Sequence, residues 1–259
     1  MTEDRLARIR LMLGEEGVNR LKSSFVTVVG LGAVGSYAVE GLARAGVGRM
    51  RLVDFDVIRA SNINRQLYAL GSTLGKRKSA LAAERVLDIN PHCRVEAFDL
   101  FAGPETFDAI LEGSPDMVVD AIDSLGPKAG LIARTVRRGL PLIASMGAAL
   151  RTDPGAIRVG PLEAVRGCPL AAALRSLLRK NGTPLGLTCV YSLEPVGELR
   201  RARQLDPETQ FYERGRRRAA LGSLPTLTGI FGLVVANAVI KTLSAGRKET
   251  GQLQRPPGL

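Results

Sequence analysis

The sequence holds a single histidine, His92, and three cysteines, Cys93, Cys168 and Cys189, with no C-x-x-C pair among them. One histidine, in the surface-prone stretch "NPHC", leaves no basis for a Ser–His–Asp relay. Three scattered thiols are too few for a disulfide framework, and without paired C-x-x-C motifs no zinc is expected. The opening stretch "MTEDRLARIR" is charged from residue 3 and lacks the apolar core of a secretion signal, so the expected location is cytoplasmic. Negative charge is also short: 25 Asp+Glu stand against 36 Lys+Arg, a net charge of +11. Such an excess favours polyanionic partners, nucleic acid first. Long uncharged runs are nearly absent. Residues 219–240 form the exception, but Pro225, three glycines and Asn237 interrupt them. A turn at "GSLP" and a buried helix over 226–243 are expected there, in preference to a membrane span.

What is present is an alternation of strand-like and helix-like runs over 259 residues. Residues 1–24 read as a helical lead-in and residues 25–29 as a strand buried on both faces. A helix is expected at 36–45, a strand at 49–55, a helix at 76–90 and a strand at 94–99. Further on come a helix at 104–112, a strand at 117–123, a helix at 127–138 and a strand at 141–148. This βαβ series predicts an α/β, Rossmann-like, doubly wound and mostly parallel sheet. After residue 150 the pattern weakens to strands at 156–160 and 188–192, a helix at 169–180 and a basic loop at 199–218. The chain thus divides into an amino-terminal helical arm (1–24), a nucleotide-binding core (25–150) and an extension (151–259) that continues the sheet.

The stretch "VTVVGLGAVGS" places Gly30, Gly32 and Gly35 in a G-x-G-x-x-G spacing directly after a strand and before a helix. The first glycine permits the turn, the second lets backbone approach phosphate, and the third lets helix and strand pack closely. Asp54 follows on the second strand, where a carboxylate accepts hydrogen bonds from ribose hydroxyls. An NAD enzyme would have finished recognition here, yet the chain continues with "SNINRQ", "GKRK", "INP" and "DAIDS". In that order these pieces resemble the ThiF/MoeB/HesA superfamily of ATP-dependent adenylating enzymes, over nearly the whole chain. The resemblance implies that ATP is held by Gly30, Gly32, Ala33, Val34 and Gly35, and by Asp54 and Asp56. It also implies Asn62, Arg65 and Gln66 of "NINRQ", Lys78 of "GKRK", and Ile122 and Asp123 of "DAID". Arg65 and Lys78 would neutralise the triphosphate and Asp123 would hold Mg2+. Lys76 and Arg77 compete for the lysine role, and register with "INP" favours Lys78. Arg8 matches an arginine that reaches the neighbouring subunit's triphosphate, with Leu6 replacing the family's usual aromatic, which implies a homodimer.

Members acting on sulfur-carrier proteins commonly hold zinc through C-x-x-C pairs, which this chain lacks. Instead "CPLAAALRSLLRK", "LTCVYSLEP" and "GSLPTLTGIFGLVVANAVI" resemble the tRNA threonylcarbamoyladenosine dehydratases of the superfamily. That resemblance implies adenylation of a carboxylate on tRNA and ring closure by the side chain's own nitrogen, with no protein nucleophile. The segment "LRRARQLDPETQFYERGRRR" suits tRNA phosphates, and Phe211 and Tyr212 within it either stack on a base or pack on the domain. Cys189 corresponds in idea to the thioester cysteine of ubiquitin-activating relatives, but its apolar strand-like surroundings suit a small hydrophobe better. The alternative is adenylation of a sulfur-carrier or ubiquitin-like carboxyl terminus, and docking of a sulfur-transfer protein stays open. NAD-dependent oxidoreduction fits poorly with Arg65, Lys78 and the missing catalytic histidine, and a non-enzymatic docking module is the last rival.

Overall fold

Phe25–Val29, buried at every residue, forms β1 of a seven-stranded sheet. It pairs in parallel with β2 (Arg49–Val53) on one side and β4 (Met117–Asp120) on the other. β3 (Arg94–Phe98) lies outside β2. Beyond β4 come β5 (Leu142–Ser145), β7 (Thr188–Ser192) and β6 (Ile157–Pro161), giving the order β3-β2-β1-β4-β5-β7-β6 with β6 alone antiparallel. The chain reverses its winding between β1 and β4, so the carboxyl ends of these strands frame the crevice where such sheets bind ligands. The computed structural model describes residues 4–196, 201–205 and 219–245.

Helices cover both faces. α1 (Ala7–Ser23), α2 (Gly35–Arg44), α3 (Lys78–Ile89) and α7 (Pro225–Ala245) lie on one; the single turn α4 (Phe107–Ile110), α5 (Leu125–Arg137) and α6 (Pro169–Lys180) lie on the other. The first helix is broken at Gly14, whose φ of 71° lies in the left-handed region. α7 packs tightly along α2: a Cβ at Gly232 would lie 2.3 Å from the Val34 carbonyl oxygen, and one at Gly41 2.7 Å from Ala236. Leu227, Phe231, Val235 and Val239 are buried there, each worth about 1.5–3 kcal/mol. α7 is long and apolar enough to cross a membrane by length and composition. Its apolar side nevertheless serves as core for the first half of the chain.

The predicted elements are present, several with shifted ends. The strand expected at 49–55 stops at Val53, where the following Asp54 turns its carboxylate onto nearby backbone. That expected at 117–123 stops at Asp120, whose own carboxylate accepts the Ile122 amide. The helix expected at 104–112 is a single turn, and α5 starts at Leu125, ahead of Pro127. Of the expected basic loop, residues 201–205 form β8 (Arg201–Leu205), paired antiparallel with β9 (Ala219–Leu221). Phe211, Tyr212 and the rest of that segment lie outside the described residues. His92 is exposed, as its setting predicted.

Two cations are buried within the central sheet region with full compensation. Arg51 donates from Nε and Nη2 to Glu96 and from Nη1 to the carbonyls of Ala109, Ile110 and Glu112. Lys128, wholly buried, sits 2.8 Å from Asp120 and donates to the Ile122 carbonyl. Burial pushes the Glu96 carboxyl up, but Arg51 and Arg49 more than reverse this and hold it below the usual range. A depressed folded value stabilises above the ordinary carboxylate pKa and is lost as pH falls through the lower one. Glu96→Gln is expected to cost about 3 kcal/mol at neutral pH by orphaning Arg51, and to flatten acid sensitivity below about pH 4.5. Urea unfolding at pH 7 and pH 3.5 measures both; equal stability of wild type and variant at pH 7 would refute the pairing.

Candidate functional site

Gly30 leaves β1 with φ +90°, and a Cβ there would lie 2.8 Å from the Ala121 carbonyl oxygen. Gly35 is tighter, since its Cβ would meet the Gly30 carbonyl oxygen at 1.7 Å. Gly32 differs: the nearest atom to a Cβ would be Gln66 Nε2 at 3.7 Å, so its backbone faces open space. Gly30 and Gly35 are therefore demanded by the fold and Gly32 by what approaches it. α2 begins at Gly35 with no side-chain cap and no acid in its first turn. Its leading N–H groups and positive dipole end are offered to an anion. Ala33 and Val34 complete the loop.

Asp54 holds this loop to the end of β2. Its Oδ2 accepts from the Leu31 amide at 2.7 Å and its Oδ1 from the Asp56 amide at 2.9 Å. Burial pushes its carboxyl above the usual range against the opposing pull of Lys78 and these amides. Asp56 in turn pairs with Lys78 Nζ at 3.0 Å, and its carbonyl accepts the Lys78 amide at 3.0 Å. Lys78 is 5% exposed and opens α3, whose first turn carries no acid. A cation at the positive end of a helix dipole is unfavourable unless an anion attends it. Lys78, Asp56, Asp54 and the glycine loop thus form one hydrogen-bonded run across two helix amino termini.

The "SNINRQ" segment folds over the same place. Leu67 donates its amide to Ser36 Oγ and Tyr68 its hydroxyl to the Ser36 carbonyl, tying the segment to the start of α2. Gln66 is buried beside Gly32 and its Oε1 has no partner among the described residues, an orphaned acceptor that suits a donor on a bound nucleotide. Asn62 is buried and stabilises its own turn, accepting from the Arg59 amide at 3.2 Å. Arg65 stands at the rim and folds back, Nη1 donating to the Ser61 carbonyl and to Asn64 Oδ1, both at 2.8 Å. Its backbone is at the site; its guanidinium is parked on its own loop.

Ile122 and Asp123 follow β4, and Asp123 is exposed just past the strand's carboxyl end. The pair Asp120–Lys128 beneath them, invisible to motif reasoning, anchors this turn through Ile122. The signal available in the sequence was an Asp–Lys spacing across a strand–helix junction, which alone denotes nothing. Among the described residues no group of three or more His, Cys, Asp or Glu side chains is gathered for a metal.

Two predicted residues lie apart from this assembly. Arg8 is exposed on the first turn of α1. Nearby, Arg5 bonds the Ile89 carbonyl and Leu6 packs on Gly46, both preceding strands at their amino ends. The turn carrying Arg8 thus lies toward the amino ends of β2 and β3, whereas the glycine loop follows the carboxyl end of β1. Cys189 is fully buried in β7 and its thiol is pushed up to about 12, chiefly by burial. That environment is that of a small packed hydrophobe. A surface hollow of about 670 Å3 lined by Asp108, Glu112, Arg134, Arg137 and Arg138 lies along α5; Arg134 there is already paired with Asp108.

Comparison with known proteins gives the family and the same fold. The model of the ThiF family matches residues 3–255. A tRNA threonylcarbamoyladenosine dehydratase of Bacillus subtilis is 43% identical over 188 residues, 73% of this chain and 74% of that protein. Its Escherichia coli counterpart is 34% identical over 250 residues, 93% of each chain. The crystal structure of the Escherichia coli tRNA N6-threonylcarbamoyladenosine dehydratase in complex with ATP superposes with a TM-score of 0.82 at 33% identity, covering 93% of this chain and 94% of that one.

Proposed function

The chain belongs to the ThiF family, and we propose that it catalyses the ATP-dependent dehydration of N6-threonylcarbamoyladenosine in tRNA. The observation that carries this reading is the continuous run Lys78–Asp56–Asp54–Leu31, which brings a buried cation, a ribose-type acid and a phosphate-type loop into one crevice.

The chemistry follows from these groups. ATP is the co-substrate. Its phosphates lie over Gly30–Gly35 and the amino end of α2, its ribose hydroxyls face Asp54, and Gln66 Oε1 receives a donor. The threonylcarbamoyl carboxylate attacks the α-phosphorus; the bond to the bridging oxygen breaks and pyrophosphate leaves. Lys78 and Arg65, the latter swung from its parked position, neutralise the charge that moves onto the leaving group. Asp123 would hold Mg2+, which would withdraw charge from the reacting phosphate. The carbamoyl nitrogen then attacks the acyl carbon and loses its proton, AMP departs, and the nucleoside has lost one water. Orientation supplies the rate, so no protein nucleophile is required. Arg8 serves the crevice of a second copy, making the active unit a homodimer with sites completed in trans. The excess of 11 positive charges draws tRNA to the protein in the cytoplasm.

The test is mass spectrometry of nucleosides from tRNA incubated with the protein. Loss of one water from the threonylcarbamoyl nucleoside is expected with ATP and not without it. ATP–pyrophosphate exchange is expected to respond to the modified tRNA. Exchange that responds instead to a sulfur-carrier or ubiquitin-like carboxyl terminus would replace this reading with the alternative.

A further inference from the structure

Four cationic side chains are buried among the described residues: Arg51, Lys78, Lys128 and Arg151. Three have an acidic partner, respectively Glu96, Asp56 and Asp120. Arg151 has none. It is 2% exposed, Nη2 donates to the Gly167 carbonyl at 2.9 Å, and among the described residues Nε and Nη1 have no hydrogen-bond partner. The next two residues engage Glu194, which accepts from the Thr152 amide, the Thr152 hydroxyl and the Asp153 amide. A buried, uncompensated guanidinium is among the costliest arrangements a fold tolerates. The preceding residue adds strain: Leu150 has φ 63°, a left-handed conformation that a leucine seldom adopts. Adjacent stored costs of this kind collect where a ligand later relieves them.

The position says which ligand. Residues 146–151 leave the carboxyl end of β5, one strand from the switch point and on the side away from the glycine loop's β2 flank. The Leu150 amide donates to the Gly222 carbonyl, and the neighbouring Ser223 carbonyl accepts from Asn64 of the "NINRQ" segment at 3.5 Å. Arg151 therefore stands across the crevice from the phosphate-holding residues, on the wall left for the second substrate. We propose that Arg151 docks the carboxylate of the threonylcarbamoyl group as the Leu150–Thr152 turn relaxes, resting on the function proposed above. A guanidinium with two free donors matches a carboxylate in a way that an ammonium does not.

The experiment compares Arg151→Gln and Arg151→Lys with wild type in the full chain. For Arg151→Gln, KM for modified tRNA is expected to rise about tenfold to a hundredfold, with affinity for the same tRNA lacking the threonylcarbamoyl group unchanged. Arg151→Lys, which keeps charge but not the fork, is expected to recover only part. Equal loss on both tRNAs would assign the residue to backbone phosphate and overturn the carboxylate role, as would no loss on either. Arg151→Met, read by thermal unfolding without tRNA, is expected to melt at or above the wild-type temperature, since it removes an unpaired buried charge. A clear fall in its melting temperature would make Arg151 structural and end the proposal. A wild-type chain that dehydrates no tRNA would remove the parent reading and this role together; an active wild type with an equally active Arg151→Gln removes this role alone.

Discussion

Gly35→Ala is expected to abolish nucleotide binding and to destabilise the fold by about 3 kcal/mol or more. The new methyl carbon would lie 1.7 Å from the Gly30 carbonyl oxygen and 3.3 Å from Ala121 Cβ. Neither neighbour can yield as a side chain would. Gly30 already occupies φ +90° against the Ala121 carbonyl, so the loop, the start of α2 and the turn after β4 would all have to move apart. Gly32→Ala separates fold from binding. With its nearest contact at 3.7 Å, it is expected to change stability by less than about 0.5 kcal/mol, while its methyl group occupies the space a phosphate needs. Thermal unfolding and calorimetric titration with ATP distinguish the two variants. A Gly35→Ala protein that melts and binds like wild type would show that the loop is not built as described.

Lys78→Ala is expected to slow ATP–pyrophosphate exchange by at least about a hundredfold, with tRNA affinity nearly unchanged. Lys78 is the one cation of "GKRK" that is buried, and its ammonium is already fixed by Asp56 next to the glycine loop. It therefore adds positive charge to the crevice without reorganising, which is where preorganised electrostatics count most. Lys76 and Arg77 are exposed, and Arg77 pairs with Asp99. Lys78→Met serves as a control that keeps the aliphatic volume; a similar loss of exchange with a normal melting temperature would isolate the charge as the cause. Undiminished exchange in Lys78→Ala would displace Lys78 from the triphosphate.

The strand and helix runs were legible because their causes are local. Phe25–Val29 reads as a fully buried strand from five consecutive apolar or β-branched residues, and α6 begins and ends where Pro169 and Asn181 say it should. The ends of β2 and β4 were less legible. The residues after Val53 and Asp120 look like strand continuations until the Asp54 and Asp120 carboxylates are seen to bond backbone two residues on. The strand β8 was read as loop because arginine-rich stretches carry no apolar alternation, and its pairing with β9 bridges a long intervening segment.

By itself the sequence determined the doubly wound sheet and the presence of an anion-binding loop. Hydrophobic periodicity, the left-handed turn at Gly30 and the Gly35–Gly30 contact act over a few residues, so they can be read without coordinates. Only the tertiary structure decided which charges are buried and with whom. Lys78 with Asp56, Lys128 with Asp120, Arg65 folded on its own loop and Arg151 left without an anion among the described residues all depend on what distant segments place around a long side chain. The cost or benefit of burying a charge is set by that surrounding shell, and no local pattern encodes it.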